Sequence, residues 1–424
     1  MKTTLHWRCP LLLGSLLVLC CCSRPEVALA VTQAPPQAVA KAPAFAAWQR
    51  ELLELAFRSA CKFPMEPHHK NRSRAQMVAV DACFRLGQPE LALGFANDVR
   101  DWHRGSIYAD YAFAVGQRGD ADGARRHIVL AEQVAAGERE NASGQEWRRD
   151  LIAMKVARAW SALGERDKAA AAVAGVEDTS LHAVDTDQAE TAAERVRLLA
   201  DDQAGKELAA IDAAFPTQSL GQQRMSVEVL VRLHERFFAD QAIRAAVEQR
   251  FTERFDKLMP TLRLAAIARL ARTDVANGDV ARGKELVKVF RTIVENHRWR
   301  TEDRLPEIAV LVELTFLVGD ADRARADAAA ALADWHAQRE SVVDIFRAEA
   351  LRPLALAFFA IGDPQQGEAV LALAVEEGQE NPNSRPRCDD LVDTAVALCL
   401  RGIAPSAKQV ERMREISGAL GEPW

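Results

Sequence analysis

The chain is short of aromatic residues. Tyrosine occurs twice in 424 residues, and Phe, Trp and Tyr together make up 6%. A carbohydrate platform needs several such rings gathered on one exposed face, so this composition weighs against one. Catalytic motifs are missing as well. The sequence holds no His-Glu-x-x-His, no Cys-x-x-Cys, no Gly-x-Ser-x-Gly and no phosphate-binding loop, which removes the usual sequence grounds for a zinc, serine-hydrolase or nucleotide site. No catalytic residue, cofactor or metal site is expected. Beyond the first thirty residues no stretch is apolar enough to span a bilayer. Positive charge is not in excess either. The net charge is −6, so general nucleic-acid binding is not expected.

The N-terminus is expected to lie outside the fold. Lys2 and Arg8 form a positive start, Leu11 to Cys22 an apolar stretch, and Ala28-Leu29-Ala30 a small-residue cleavage site. That order reads as a secretory signal peptide over 1–30, with lipid or membrane anchoring through the N-terminus as the alternative. Cleavage would remove three positive residues and one negative, taking the net charge from −6 to −8. A Pro/Ala-rich spacer then runs over 31–44. The expected location is the periplasm or the exterior.

Of eight cysteines, four follow this leader: Cys61, Cys83, Cys388 and Cys399. An even count in an exported chain invites disulfides. Geometry argues against the obvious pairs. Cys388 and Cys399 fall on one expected helix, about 16 Å apart by helical rise, and a disulfide needs Cα atoms within about 7 Å. Free, buried or half-buried thiols are expected instead.

What the chain has in quantity is alanine, leucine, glutamate and arginine, which favour helix. It also has a repeat. A glycine followed five residues later by a small residue recurs as Gly87/Ala92, Gly119/Ala124, Gly164/Ala169, Gly278/Gly283, Gly319/Ala324, Gly362/Gly367 and Gly402/Ala407. The spacing is about 40 residues, the period of a helical-repeat array. The glycine is expected to take the left-handed conformation that ends a helix. Asp120, Asp279, Asp320 and Asp363, each next after a glycine, are expected to cap the following helix. The small residue lets the two helices of a pair approach.

The fold expected is all-α. An N-terminal capping helix at 45–63, with its loop to 71, precedes a repeat domain over 72–424. About nine antiparallel pairs are expected: 72–86 with 89–101, 105–117 with 122–136, 144–163 with 166–176, 185–200 with 203–215 and 220–239 with 241–258. The rest are 261–277 with 280–297, 302–318 with 322–339, 342–361 with 364–377 and 389–400 with 404–420. In the fourth and fifth pairs Asp201-Asp202 and Ala239-Asp240 stand in for the turn glycine.

These pairs resemble tetratricopeptide repeats. Tyr108, Tyr111, Ala112, Val115, Ala124, Ile128 and Ala131 fall where that family places its packing residues. So do Ala157, Trp160, Ala169 and Val173, and likewise Ala355, Phe358, Gly367 and Leu371. The period is near 40 rather than the family's 34, and the proline that usually closes a repeat is mostly missing. The resemblance implies an α-solenoid whose first helices line a concave face. Registering the units on it places Arg158, Arg197, Arg224, Arg272, Glu313 and Arg352 there. Such arginines would suit a carboxylate-bearing protein or peptide partner. The competing expectation is that they pair with Asp or Glu on their own helix.

The remaining polar candidates have plain explanations. His68-His69 lies in a Pro-rich loop and falls short of the three or four ligands of a zinc site. His103, His127, His234, His297 and His336 read as surface or packing residues. Trp102, Trp147, Trp160, Trp299 and Trp335 read as packing between repeats. Asp201-Asp202, Asp185/Asp187 and Asp389-Asp390 are expected at helix starts. The function expected is an exported, non-enzymatic scaffold for a protein or peptide. The alternative is a polysaccharide-active enzyme or carbohydrate-binding protein on a helical toroid or superhelix, which would need tryptophans and paired carboxylates in one cleft.

Overall fold

The computed structural model describes residues 45–141, 146–174, 176, 196, 199, 201–218, 220–254 and 258–424. The expected leader and spacer lie outside these residues, as does most of the expected helix at 185–200. The described residues form α-helices and no strand. In chain order they are α1 (Ala47–Ala60), α2 (His69–Arg85), α3 (Pro89–Phe95), α4 (His103–Gln117), α5 (Ala121–Asn141) and α6 (Glu146–Ala162). Next come α7 (Arg166–Val173), α8 (Ala204–Ala214), α9 (Leu220–Arg236), α10 (Gln241–Gln249), α11 (Pro260–Ala276) and α12 (Val280–Asn296). The last are α13 (Thr301–Leu317), α14 (Ala321–Gln338), α15 (Asp344–Ala360), α16 (Pro364–Glu377), α17 (Ser384–Arg401) and α18 (Ala407–Gly418). None of the described helices is long and apolar enough to cross a membrane.

The turns follow from glycine chemistry. Gly87, Gly119, Gly164, Gly278, Gly319, Gly362 and Gly402 all have positive φ. Each makes the same pair of hydrogen bonds. At Gly319, for example, the glycine N–H donates to Phe316 O at 2.9 Å and the Asp320 N–H to Thr315 O at 3.1 Å. This Schellman arrangement satisfies carbonyls that the helix end would otherwise leave bare. The residue after the glycine then starts the next helix. The carboxylates of Asp120, Asp279, Asp320 and Asp363 accept from Gly123, Arg282, Arg323 and Gln366 N–H groups at 2.8–3.3 Å. Asp240 does the same for α10, accepting from Ala242 and Ile243.

The small residue five places on sits where the helices touch. Ala92, Ala124 and Ala324 are fully buried. At Gly367 an added Cβ would lie 2.7–2.9 Å from the Phe359 ring, and at Gly283 2.6 Å from Val275. Those two positions accept no side chain without movement. Ala407 differs: it is exposed. The expectation that it packs the last two helices together is corrected by the position of α1.

Helices pack on their neighbours in sequence, α4 on α5 and α6, α11 on α12 and α13, α15 on α16 and α17. Ion pairs join units about one repeat apart. Arg125 meets Glu165, Arg269 meets Glu228, and Arg291 meets Asp327, at 2.6–2.8 Å and separations of 36–41 residues. Exposed pairs of this kind contribute only about 0–1 kcal/mol each, so they fix register more than they stabilise.

The first described helices also meet C-terminal ones: α1 touches α17 and α18, and α2 touches α17. α1 lies against α2, as expected of a helix preceding the first pair, and also along α17, while α17 touches α18 only slightly. The Gln49 side-chain amide donates to Cys399 O at 2.9 Å, and the hydroxyls of Ser59 and Ser417 are 2.7 Å apart. Phe63 and Trp424 pack at 4.7 Å between ring centroids. α1 therefore occupies the side of α17 that α18 would take in a regular pair, which leaves Ala407 open. The four thiols are free, with Cys83, Cys388 and Cys399 buried and Cys61 half-buried.

Two stability predictions follow from this packing. Gly319→Ala meets open space but a left-handed backbone, and is expected to cost about 1 kcal/mol. Gly367→Val must displace Phe359, and is expected to cost more, about 1–3 kcal/mol. Urea unfolding of the two variants measures the order, and a Gly367→Val variant as stable as the parent contradicts the close approach. At the α1–α17 contact, Gln49→Ala is expected to cost about 1 kcal/mol and to speed hydrogen exchange in α17 as well as α1. Faster exchange confined to α1 would contradict the contact.

Candidate functional site

Three of the arginines singled out in the sequence, Arg158, Arg272 and Arg352, sit in separate clusters, each paired with a carboxylate. Arg158 of α6 donates to Asp110 of α4 at 2.6 Å, beside Lys155 at 2.7 Å, and its guanidinium lies over the Phe113 ring. Arg352 of α15 reaches Asp393 at 3.2 Å and Asp390 at 3.5 Å on α17. Arg272 of α11 meets Glu313 of α13 at 3.2 Å, so those two candidates come together. Arg224 lies in α9, and Arg197 is outside the described residues. The partners are on the neighbouring first helix rather than one turn along the same helix, the spacing at which local pairing was expected.

Glu313 is shared. Arg401, at the end of α17 and 88 residues away, holds it at 2.8 Å. Two half-exposed guanidiniums thus face one half-buried carboxylate, with side-chain exposures of 42% and 46% against 11%. The cluster carries an excess positive charge, and each guanidinium has further N–H groups to donate.

A second constellation lies inside the packing. His234 near the end of α9, Glu248 near the end of α10 and Asp274 near the end of α11 are all buried. His234 Nε2 is 3.2 Å from Glu248 Oε1 and 3.4 Å from Asp274 Oδ1. Glu248 is also gripped by Arg282, from the first turn of α12, and Arg244 approaches it at 3.8 Å while pairing with Asp279 at 3.1 Å. A π-helical turn, Arg250–Arg254, follows α10 directly, and such turns recur at functional sites. Neither oxygen of Asp274 has a hydrogen-bond partner within normal geometry, nor does His234 Nδ1.

The electrostatics of the three differ. Burial opposes charge on His234, but the facing Asp274 and Glu248 outweigh it and raise its pKa. Burial works against the Glu248 anion too, yet His234 and Arg282 hold its pKa below the usual range. For Asp274 burial wins, with the Glu248 charge adding to it, and the pKa rises.

Sequence reading took His234 for a packing or surface histidine. The overlooked signal was Asp274. It stands four residues before a turn glycine, where other units have Cys83, Val115, Trp160, Thr315, Phe358 and Leu398, none of them charged. A charged residue at an otherwise uncharged register position needs a partner. Among the described residues no other three His, Cys, Asp or Glu side chains come together closely enough to hold a metal ion; His68 and His69 belong to no such group.

Asp389-Asp390 is a correction. The pair was expected at a helix start, but α17 begins at Ser384. Pro386 falls in its first turn, where a missing N–H breaks no bond, so the helix starts before the proline rather than after it. Trp102, Trp160 and Trp335 are buried, and Trp299 is half-buried with its indole N–H donating to Val294 O; none of them is an exposed ring. No protein-family model matches the chain, and comparison with curated proteins finds no match.

Burial pushes Glu307 of α13 up to about 7, with no charged neighbour contributing. The folded chain therefore holds a proton that the unfolded chain releases near pH 4.5. Stability from this group is full below that pH and is lost as pH rises toward 7. Glu307→Gln removes the loss. The variant is expected to match the parent in melting temperature at pH 4 and to exceed it at pH 8. An equal difference at both pH values contradicts the burial effect.

Proposed function

We propose that the chain is a tetratricopeptide-like α-solenoid of about nine helix pairs, exported through its N-terminal signal, that acts as a non-enzymatic scaffold. It holds a protein or peptide partner on the face formed by the first helices of the pairs. The observation that carries this is the Arg272–Glu313–Arg401 cluster. Three first helices, α11, α13 and α17, bring two guanidiniums to one carboxylate. The surplus cation and its free N–H groups fit an acidic side chain or a C-terminal carboxylate of a partner, which arginine binds bidentately. Arg158 and Arg352 are engaged with Asp110 and with Asp390 and Asp393, so they serve the scaffold itself. The buried positions of Trp102, Trp160 and Trp335 favour this reading over a carbohydrate cleft.

The test is capture of partners from the exported fraction by the full chain and by the Arg272→Glu/Arg401→Glu variant, with helicity checked by circular dichroism. Recovery of the partner is expected to fall about tenfold, since reversal places like charges together. Equal recovery by a folded variant rejects this face. Absence of any saturable partner rejects the scaffold. The mature chain is expected to begin at Val31 in that fraction by intact mass.

A further inference from the structure

The buried His234–Glu248–Asp274 group has no place in a partner-binding face. We propose that it is a structural site for a first-row divalent cation, zinc above all, that ties α9, α10 and α11 together. Three observations converge on it. The first is a mismatch between acceptors and protons. Glu248 Oε1 and Asp274 Oδ1 both point at His234 Nε2, at 3.2 and 3.4 Å. One ring nitrogen carries at most one proton, and that proton hydrogen-bonds well to only one oxygen. Glu248 has it. Asp274, with no measurable exposure, is left with both oxygens unpartnered. A buried carboxylate in that state is costly, and a cation accepting lone pairs from all three groups removes the cost.

The second observation is spacing. Zinc binds imidazole nitrogen and carboxylate oxygen at about 2.0–2.2 Å, and tetrahedral geometry then sets its ligands about 3.3–3.6 Å apart. Of the two histidine–carboxylate separations, 3.4 Å falls within that range and 3.2 Å just short of it. The three donor atoms lie within 4.8 Å of one another, so a modest closure of Glu248 and Asp274 completes the triangle and leaves a fourth position. The third is the surroundings. Arg282 holds Glu248 by its other oxygen, Oε2, as an outer partner orients and holds a ligating carboxylate. One imidazole with two carboxylates is a borderline-hard donor set, suited to Zn2+ or Mn2+ rather than to the thiolate-seeking Cu+.

The site spans the end of one helix pair and the start of the next, so the cation acts on packing between pairs. Asp274 takes the register position that uncharged residues, five of the six apolar, fill before the other turn glycines. The metal replaces in this unit what side-chain packing supplies in the others. His68 and His69, half-buried at the start of α2, are the obvious competing site for added metal, and the test controls for them.

The full chain, without a histidine tag and freed of metal by chelation, is titrated with Zn2+ and with Co2+ as a spectroscopic probe. One Zn2+ per chain is expected, with a rise in melting temperature, and Co2+ is expected to give the visible absorption of a tetrahedral N/O site. Asp274→Asn keeps the shape of the side chain but weakens its ligation. It is expected to lower Zn2+ affinity by more than about a hundredfold, beyond the range for losing an outer partner, and to abolish the cobalt band. His68→Ala/His69→Ala is expected to leave both unchanged. Equal Zn2+ affinity in parent and Asp274→Asn chains overturns the proposal. So does loss of binding in His68→Ala/His69→Ala alone. If Asp274→Asn does not fold, the parent decides: no stabilisation by Zn2+ and no tetrahedral cobalt band overturns the site.

Discussion

A helix pair hides its apolar face only against the next pair, so a stack of them has two bare ends. In this chain one helix covers both. α1 lies on α2 at one side and along α17 at the other. The apolar residues of α1 to α3 and of α8 to α18 consequently join in one buried cluster, while those of α4 to α7 gather in a second. Without α1 the side of α17 that now holds Gln49 would be left to water. The exposed Ala407 is the trace of that exchange: α18 does not pack where the repeat would put it, because α1 already does.

Within the stack the energetics divide simply. Burial of side chains such as Ile128, Leu264 and Phe290 supplies the driving force, about 1.5–3 kcal/mol for each large residue. Turn glycines and capping aspartates fix where each helix stops and the next begins. The arginine–carboxylate pairs between units add little energy but make slipped registers unfavourable. Arg158, Arg269 and Arg352 each find an acid on an adjacent first helix, and a shift of one turn would leave both partners unpaired.

Much of this was legible in the sequence because it is local. A glycine that must take positive φ, an aspartate one residue later and a small residue five along are set by a single turn; all seven glycines take positive φ, and four of them are followed by the capping aspartate. Arg272 and Glu313 were assigned to one face by register and do meet. What was not legible is what depends on distant partners. Nothing in residues 47–60 marks α1 as the companion of a helix 337 residues further on. Nor did His234 announce its two carboxylates, since its helix looks like any other. Asp274 could have been noticed, because it breaks an otherwise uncharged position. The helix expected from 389 begins instead at Ser384, because its first turn tolerates Pro386.

The closure of α1 on the C-terminal helices α17 and α18 is the claim on which the rest of the account leans. Ser59 and Ser417 offer the direct measurement, because their hydroxyls are 2.7 Å apart, close enough for two cysteines to bond. In the Ser59→Cys/Ser417→Cys variant the account predicts an intramolecular disulfide under mild oxidation of the folded chain, with raised resistance to unfolding from closing so long a loop. A variant that stays reduced at these positions, or that links only between molecules, would contradict it.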